Sequence, residues 1–195
     1  KKVNPNVVDE AIKDALTSLK SSRRQAYLNG LKNVADNNSL SLANKRLASP
    51  GEVKDALNSL RDFRRNNPSV RSSTNVGALD GTVNGMPASQ LSSNPKWVSG
   101  VDDTPLIDTP VWAAQNATGS SGASWLRDID SEYKMLNDMA RKLEPNAKIG
   151  DVFSSHAGEI KILSEIPYCT SCSGIIQNFN EMFPNIKLVL IDGIK

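Results

Sequence analysis

Two thiols three positions apart, Cys169 and Cys172, are the whole cysteine inventory of this 195-residue chain. They follow an apolar run, Ile160-Lys-Ile-Leu-Ser-Glu-Ile, that stops at Pro167; from Cys172 onward Ile175, Ile176, Phe179, Met182 and Phe183 recur at helical spacing. The order reads as strand, tight turn and helix, with both thiols at the helix N-terminus. Unpaired amides and the positive end of the helix dipole favour thiolate there, the form that binds metal or attacks a disulfide. A stapled mini-fold is excluded by count, and a third reading, two small buried core residues, requires no chemistry.

Zinc needs more than two ligands. The only histidine is His156, a few residues before the apolar run, and the other candidate is Asp130-Ser131-Glu132 at the start of the preceding helix. Two helix N-termini facing one another across a strand would bring Asp130 beside the thiols and leave a fourth position for water, as in a catalytic rather than a closed structural site. Glu132 would then move protons between that water and a substrate. Without metal, Asp130 is a helix cap and Glu132 a solvated first-turn residue. Three places are open to His156: zinc ligand, substrate contact or plain loop residue. Redox chemistry is the competing reading, because Pro-Tyr-Cys-x-x-Cys after a strand is similar to the thioredoxin and glutaredoxin oxidoreductases. Those folds need more sheet and a cis-proline loop after the dithiol, whereas one helix and one strand follow Cys172.

The elements that must position these groups alternate in type only near the C-terminus. Val8, Ala11, Ile12, Ala15, Leu16 and Leu19 mark one amphipathic helix; Tyr27, Leu28, Leu31, Val34 and Ala35 mark a second. Ser49-Pro-Gly-Glu52 is a capping box that opens a third, with Val53, Ala56, Leu57, Leu60 and Phe63 as its stripe and Pro68 closing it. From Ser69 to about Gly122, Ser, Asn, Gly, Thr and Pro are dense; Asn75–Gly85 reads as a strand turning at Asn84-Gly85, and Trp97-Val98 and Val111-Trp-Ala113 as short strands. Helix 130–143, strand 160–166, the cysteine helix and strand 186–192 then follow, an α/β order.

The net charge of +2 conceals an asymmetry: residues 1–73 hold 14 Lys+Arg against 7 Asp+Glu, and residues 74–195 hold 9 against 14. The basic half can meet nucleic acid or its own acidic half, and Arg61, Arg64 and Arg65 on the third helix are either phosphate contacts or a solvated face. No apolar run reaches the ~18 residues of a membrane span. The first residue is Lys rather than Met, which is the expectation for a piece of a longer chain.

Ligand-x-Glu on one helix and Pro-x-Cys-x-x-Cys opening the next resembles the zinc nucleoside and nucleobase deaminases. More narrowly, Asp130-Ser-Glu-Tyr-Lys-Met-Leu, Leu163-Ser-Glu-Ile-Pro-Tyr-Cys-Thr-Ser-Cys-Ser-Gly-Ile-Ile-Gln-Asn-Phe and Met182-Phe-Pro-Asn-Ile-Lys-Leu look like the deaminase domains at the C-termini of bacterial polymorphic toxins, in a branch where Asp replaces the usual His ligand. The likeness is good over Arg127–Asp192, faint over Asn75–Trp112 and absent before about residue 70; Tyr168 displaces Pro167 from the usual Pro-Cys step.

The resemblance implies an α/β, cytidine-deaminase-like fold: a central mixed sheet of about five strands flanked by helices. Its catalytic domain would span 69–195, preceded by an all-helical segment, 1–68. It implies hydrolytic deamination with Zn2+ on Asp130, Cys169 and Cys172 and Glu132 as proton shuttle. The implied substrate is cytosine in nucleic acid, single-stranded DNA ahead of RNA or duplex DNA. Its base would enter a pocket beside Pro167, Tyr168, Asn75 and Trp125, with Ser131 and His156 as further contacts. A toxin of this kind is expected to be monomeric, secreted or injected by the producing bacterium, active in the target-cell cytoplasm and matched by an immunity protein. Loss of residues 1–68 is expected to weaken action on polynucleotides more than folding. The alternative class is a zinc-stabilised nucleic-acid- or protein-binding module, which requires His156 as a fourth protein ligand.

Overall fold

The computed structural model describes the backbone of residues 5–118 and 124–195, and the side chains of these except 5–9, 11, 22, 117–118 and 124–125. The side chains of Val8, Ala11 and Trp125 therefore lie outside the described residues.

Three helices come first: α1 (Pro5–Ser18), α2 (Ser21–Asn37) and α3 (Pro50–Asn66). The capping box that opens α3 is formed, the Glu52 amide donating to Ser49 Oγ at 3.2 Å and the Ser49 amide to Glu52 Oε1 at 2.9 Å. Strand β1 (Val76–Val83) turns through Asn84 (φ 54°) and Gly85 (φ 79°) into β2 (Met86–Pro87). Two successive positive φ values match the twist of a two-residue hairpin, and Asn-Gly tolerates them best. Helix α4 (Ala88–Leu91) and strand β3 (Trp97–Val98) follow.

The strand expected at Val111–Ala113 is absent. Its backbone is satisfied by a side chain instead: the Val111 and Trp112 amides donate to Asn137 Oδ1 at 2.8 and 3.1 Å, so this buried segment needs no strand partner. A hairpin of β4 (Asn116–Thr118) and β5 (Ser124–Leu126) and a 3-10 turn (Arg127–Ile129) precede α5 (Ser131–Leu143). Then come β6 (Gly158–Ser164), two residues earlier at each end than its apolar run suggests, α6 (Thr170–Met182) and β7 (Ile186–Ile191).

β1, β2, β3, β6 and β7 form a five-stranded mixed sheet. β2 and β3 pair with opposite ends of one edge of β1, β6 runs antiparallel along its other edge with Gly77 opposite Ser164, and β7 lies parallel to β6. Alternation divides two cores between the faces. Ile186, Leu188 and Leu190 of β7, with Ile160 and Ile162 of β6, pack under α5 and α6 against Met135, Leu136, Met139, Ile176 and Phe179. Val189 and Ile191, with Leu163, Val76 and Ala78, pack under the N-terminal helices against Tyr27, Val53, Leu57 and Leu60. The open mixed sheet with its helices has the cytidine-deaminase-like architecture that the resemblance implies. Helices α1–α3 are a full layer of this fold: Lys45 bridges to Leu188 of β7, and Arg46 holds Glu159 of β6 at 2.7 Å. Among the described residues no helix is long and apolar enough to cross a membrane.

Candidate active site

The N-termini of α5 and α6 meet at the Ser164 end of β6, where β1 begins. Gly77 permits the approach, since a Cβ there would sit 3.0 Å from the Leu163 carbonyl and 3.1 Å from Ser131 Oγ. Asp130 occupies the N-cap of α5 yet makes no capping hydrogen bond. Its carboxylate faces the dithiol instead, with Oδ2 3.5 Å from Cys172 Sγ and 3.7 Å from Cys169 Sγ, while Oδ1 lies 3.5 Å from Arg127 Nη1. Cys169 is the N-cap of α6, and its sulfur accepts the Cys172 amide at 3.4 Å. The sulfurs are 3.2 Å apart, well beyond the ~2.05 Å of a disulfide, and both thiols are free.

The three donor atoms lie within 4.8 Å of one another, and the group can hold a metal ion. Zinc–ligand bonds of tetrahedral geometry imply edges of about 3.5 Å between oxygen and sulfur and about 3.8 Å between two sulfurs. The observed oxygen–sulfur edges of 3.5 and 3.7 Å fit, and the 3.2 Å sulfur pair has only to spread. Two thiolates and a carboxylate are also a donor set that suits zinc.

Cys169 is drawn down to about 7, first by its hydrogen bond with Cys172 and further by the Cys172 amide, against the cost of burial. The same bond pushes Cys172 up, together with burial and the neighbouring Glu132. Thus the pair carries one negative charge more easily than two. Glu132, 3 % exposed, is raised above the usual carboxylate range by burial, and Asp130 adds to the rise while bonds from Ser164 and Asn75 offset part of it. Its Oε2 accepts from Ser131 Oγ at 3.2 Å and lies 3.6 Å from Cys172 Sγ. A carboxyl raised in this way and set beside the donor cluster is placed to accept a proton and pass it on.

Asn75 organises the opposite wall. Its Nδ2 reaches Glu132 Oε1 at 2.8 Å, Ser131 Oγ at 2.9 Å and Ser164 Oγ at 3.0 Å, and its Oδ1 accepts the Ile166 amide at 3.0 Å. Its own backbone is clamped by Ser99, whose Oγ accepts the Asn75 amide and donates to the Asn75 carbonyl. Between these walls lies a cavity of about 480 Å³ that opens over Asp130, Glu132, Cys169 and Cys172 and is flanked by Thr74, Gly100 and Pro167. That volume lies in the range of small-molecule sites.

Sequence reasoning missed Lys134. It is fully buried one turn beyond Asp130, with Nζ 2.6 Å from the Val98 carbonyl, 2.7 Å from that of Gly100, 3.0 Å from that of Thr104 and 2.8 Å from Thr104 Oγ1. It thereby folds 98–104 into the cavity wall that carries Ser99 and Gly100. Burial pulls its pKa down to about 8, with Asp130 and Asp103 resisting, so it remains an ammonium at neutral pH. The one available signal was a cation inside an apolar helical stripe, next to Met135 and Leu136.

Other expected site residues are dispersed. Pro167 lines the cavity, and Ser131 is buried behind Asn75. Tyr168 is turned into the protein: its hydroxyl donates to the Ile162 carbonyl and its amide to Asp192 Oδ2 at 2.7 Å, so its phenol does not face the cavity. His156 is not brought to the site. It precedes β6, whose seven residues span roughly 20 Å before the dithiol is reached. There it pairs with Glu144 at 2.7 Å and Asn84 at 2.8 Å and rests edge-on against Phe183. Arg64 points inward, its guanidinium holding both oxygens of the buried Glu165 at 2.6 and 2.7 Å, which leaves it no role at the surface. Arg65 pairs with Asp62, and Arg61 is half-buried.

A cytidine-deaminase-like sheet that carries this cluster between facing helix N-termini is the framework of a hydrolytic deaminase. Residues 60–193 match the model of the toxin-deaminase family, described as the BURPS668_1122 family of deaminases, and the chain belongs to that family. No curated protein and no solved structure matches it.

Proposed function

We propose that this protein is a zinc-dependent deaminase that converts cytosine to uracil in nucleic acid, with single-stranded DNA favoured over RNA or duplex DNA. In this reading it is the toxin of a bacterial antagonism system, secreted or injected, active in the target-cell cytoplasm and neutralised by an immunity protein. One observation carries the proposal: Asp130 forgoes its cap and turns its carboxylate on the two thiols, with a raised, buried Glu132 3.6 Å from Cys172.

When bound, zinc on Asp130, Cys169 and Cys172 supplies the Lewis acidity that makes a water acidic near neutral pH. The chain does the rest. Glu132 takes a proton from the water through Oε2 and passes it to the ring nitrogen, then assists its transfer to the departing amine, so that cytosine and water become uracil and ammonia. Asn75 fixes Glu132 through Oε1, leaving Oε2 to face the cluster. Pro167 and the Ser99–Gly100 segment enclose the base and limit its access to bulk water.

Support for a binding module is weaker, because His156, the fourth ligand it needs, lies at the far end of β6. The test is uracil formation on single-stranded DNA, RNA and duplex DNA by the parent and by Glu132→Ala at equal zinc content. Uracil from the parent alone upholds the proposal; none on any polynucleotide, with stoichiometric zinc bound, overturns it.

A further inference from the structure

A second cleft, of about 440 Å³, lies beside the cavity that holds Glu132. The two share a wall: Ile166 and Pro167 line both, and Ile166 is an apolar side chain left 39 % exposed on the ridge between them. The far side of the cleft is built by Asn29, Lys32 and Asn33 of α2, and Lys195 closes one end. Its one acid, Glu165, is neutralised by the two bonds from Arg64 and is 1 % exposed, so the charge the cleft presents is that of Lys32 and of Lys195, whose Nζ gives one of its three donors to the Ser72 carbonyl. Lys32 is 79 % exposed and its contact with Asp36 is long, 4.0 Å, so its ammonium can turn to a ligand. Asn33 is held in place by its bond to the Asp192 carbonyl at 3.2 Å.

We propose that this cleft holds the nucleotide next to the target cytosine, its phosphate on Lys32 and Lys195 and its sugar or base against the Ile166–Pro167 ridge. The inference rests on the deaminase reading and adds the substrate class to it. A base in the first cavity sends its own backbone across the ridge, and a chain continuing from it reaches the cations, whereas a free nucleotide leaves the cleft empty. The residues on α2 lie outside the 60–193 matched by the family, so the preference for a polynucleotide comes from the N-terminal helices packed on the catalytic unit. This also gives the basic first part of the chain a task at an otherwise acidic catalytic half.

The test uses the full chain with Lys32→Glu and Asn29→Ala combined, both at exposed positions, with a melting curve as a folding control. Substrates are dCMP, dinucleotides extended by one residue on the 5′ or the 3′ side, and a 12-mer of DNA or RNA. The expected result is a rise of about tenfold in KM for the 12-mer and for one of the two dinucleotides, with dCMP unaffected. In parallel, anisotropy of a labelled DNA 12-mer on Glu132→Gln should show weaker binding and a shallower salt slope when Lys32→Glu is added. Equal affinity and equal salt slope with and without Lys32→Glu overturn the inference. A Lys32-dependent affinity with no product from the parent upholds the cleft and overturns the deaminase reading instead.

Discussion

Asn75 Nδ2 lies 2.8 Å from Glu132 Oε1, while Asn75 Oδ1 accepts the Ile166 amide at 3.0 Å. One side chain thus joins the proposed proton shuttle to the cavity wall, across three elements far apart in sequence. Asn75→Ala should lower kcat by about a hundredfold, the lower end of what positioned proton transfer contributes, while bound zinc stays stoichiometric. Steady-state kinetics with metal analysis on the same samples will check this; unchanged kcat would remove Asn75 from the machinery.

Asp130 is expected to bind metal and not to cap. Asp130→Ala should weaken zinc by more than the roughly 10–100-fold that loss of a supporting group costs, whereas loss of a mere cap would leave affinity untouched. Asp130→His, which restores a ligand, should recover zinc and part of the turnover. Competition with a chromophoric chelator measures both variants.

Lys134→Met should leave helix α5 intact but release the wall at 98–104. The prediction is a KM increase of about tenfold with a smaller change in kcat, because the Val98, Gly100 and Thr104 carbonyls lose their shared donor while Glu132 keeps Ser131 and Asn75. Faster hydrogen exchange confined to 98–104 would identify the cause; an unaltered KM would contradict it.

Acid sensitivity should trace to the N-terminal layer. Glu52 falls from 4.5 to about 2, chiefly through its bond with Arg46, with burial opposing and Ser49 and Lys161 assisting. A depressed carboxylate gives stability that is complete above its unfolded value and lost as pH falls through its folded one, here between about 4.5 and 2. In Arg46→Met this part of the acid dependence should flatten, as urea unfolding at pH 3 and pH 6 will show. A parallel loss in parent and variant would place the linkage elsewhere.

Removal of residues 1–68 should abolish folding rather than trim activity. It strips Val53, Leu57 and Leu60 from the sheet face formed by Val76, Ala78, Leu163, Val189 and Ile191, and leaves Glu165 buried without Arg64. Breaking a buried pair on one side alone costs about 3–5 kcal/mol, a large part of the stability of a domain. Near-UV dichroism of the truncated chain is the readout, and a native spectrum would refute the expectation.

Helices α1, α2, α3, α5 and α6 were legible because each carries its own apolar period, to which α3 adds the start signal Ser49-Pro-Gly-Glu52. The Asn84-Gly85 hairpin was legible because φ > 0 at two successive positions admits few residue types. Val111–Ala113 misled because apolar residues in a short run look alike whether a strand or a side chain such as Asn137 satisfies their backbone. Likewise Arg64 was indistinguishable from Arg61 and Arg65, since its partner Glu165 is 101 positions away.

By itself the sequence determined the candidate groups: two thiols at a helix start and a carboxylate pair at another, spacings that local geometry fixes within one turn. Only the tertiary structure decided which groups share the site. It brought Asn75 to Glu132, sent His156 to the other end of β6, folded Lys134 beneath the cavity wall and laid α2 beside the Ile166–Pro167 ridge. Those juxtapositions depend on strand order, register and the packing of two sheet faces, and contacts between residues tens of positions apart leave no mark in local periodicity.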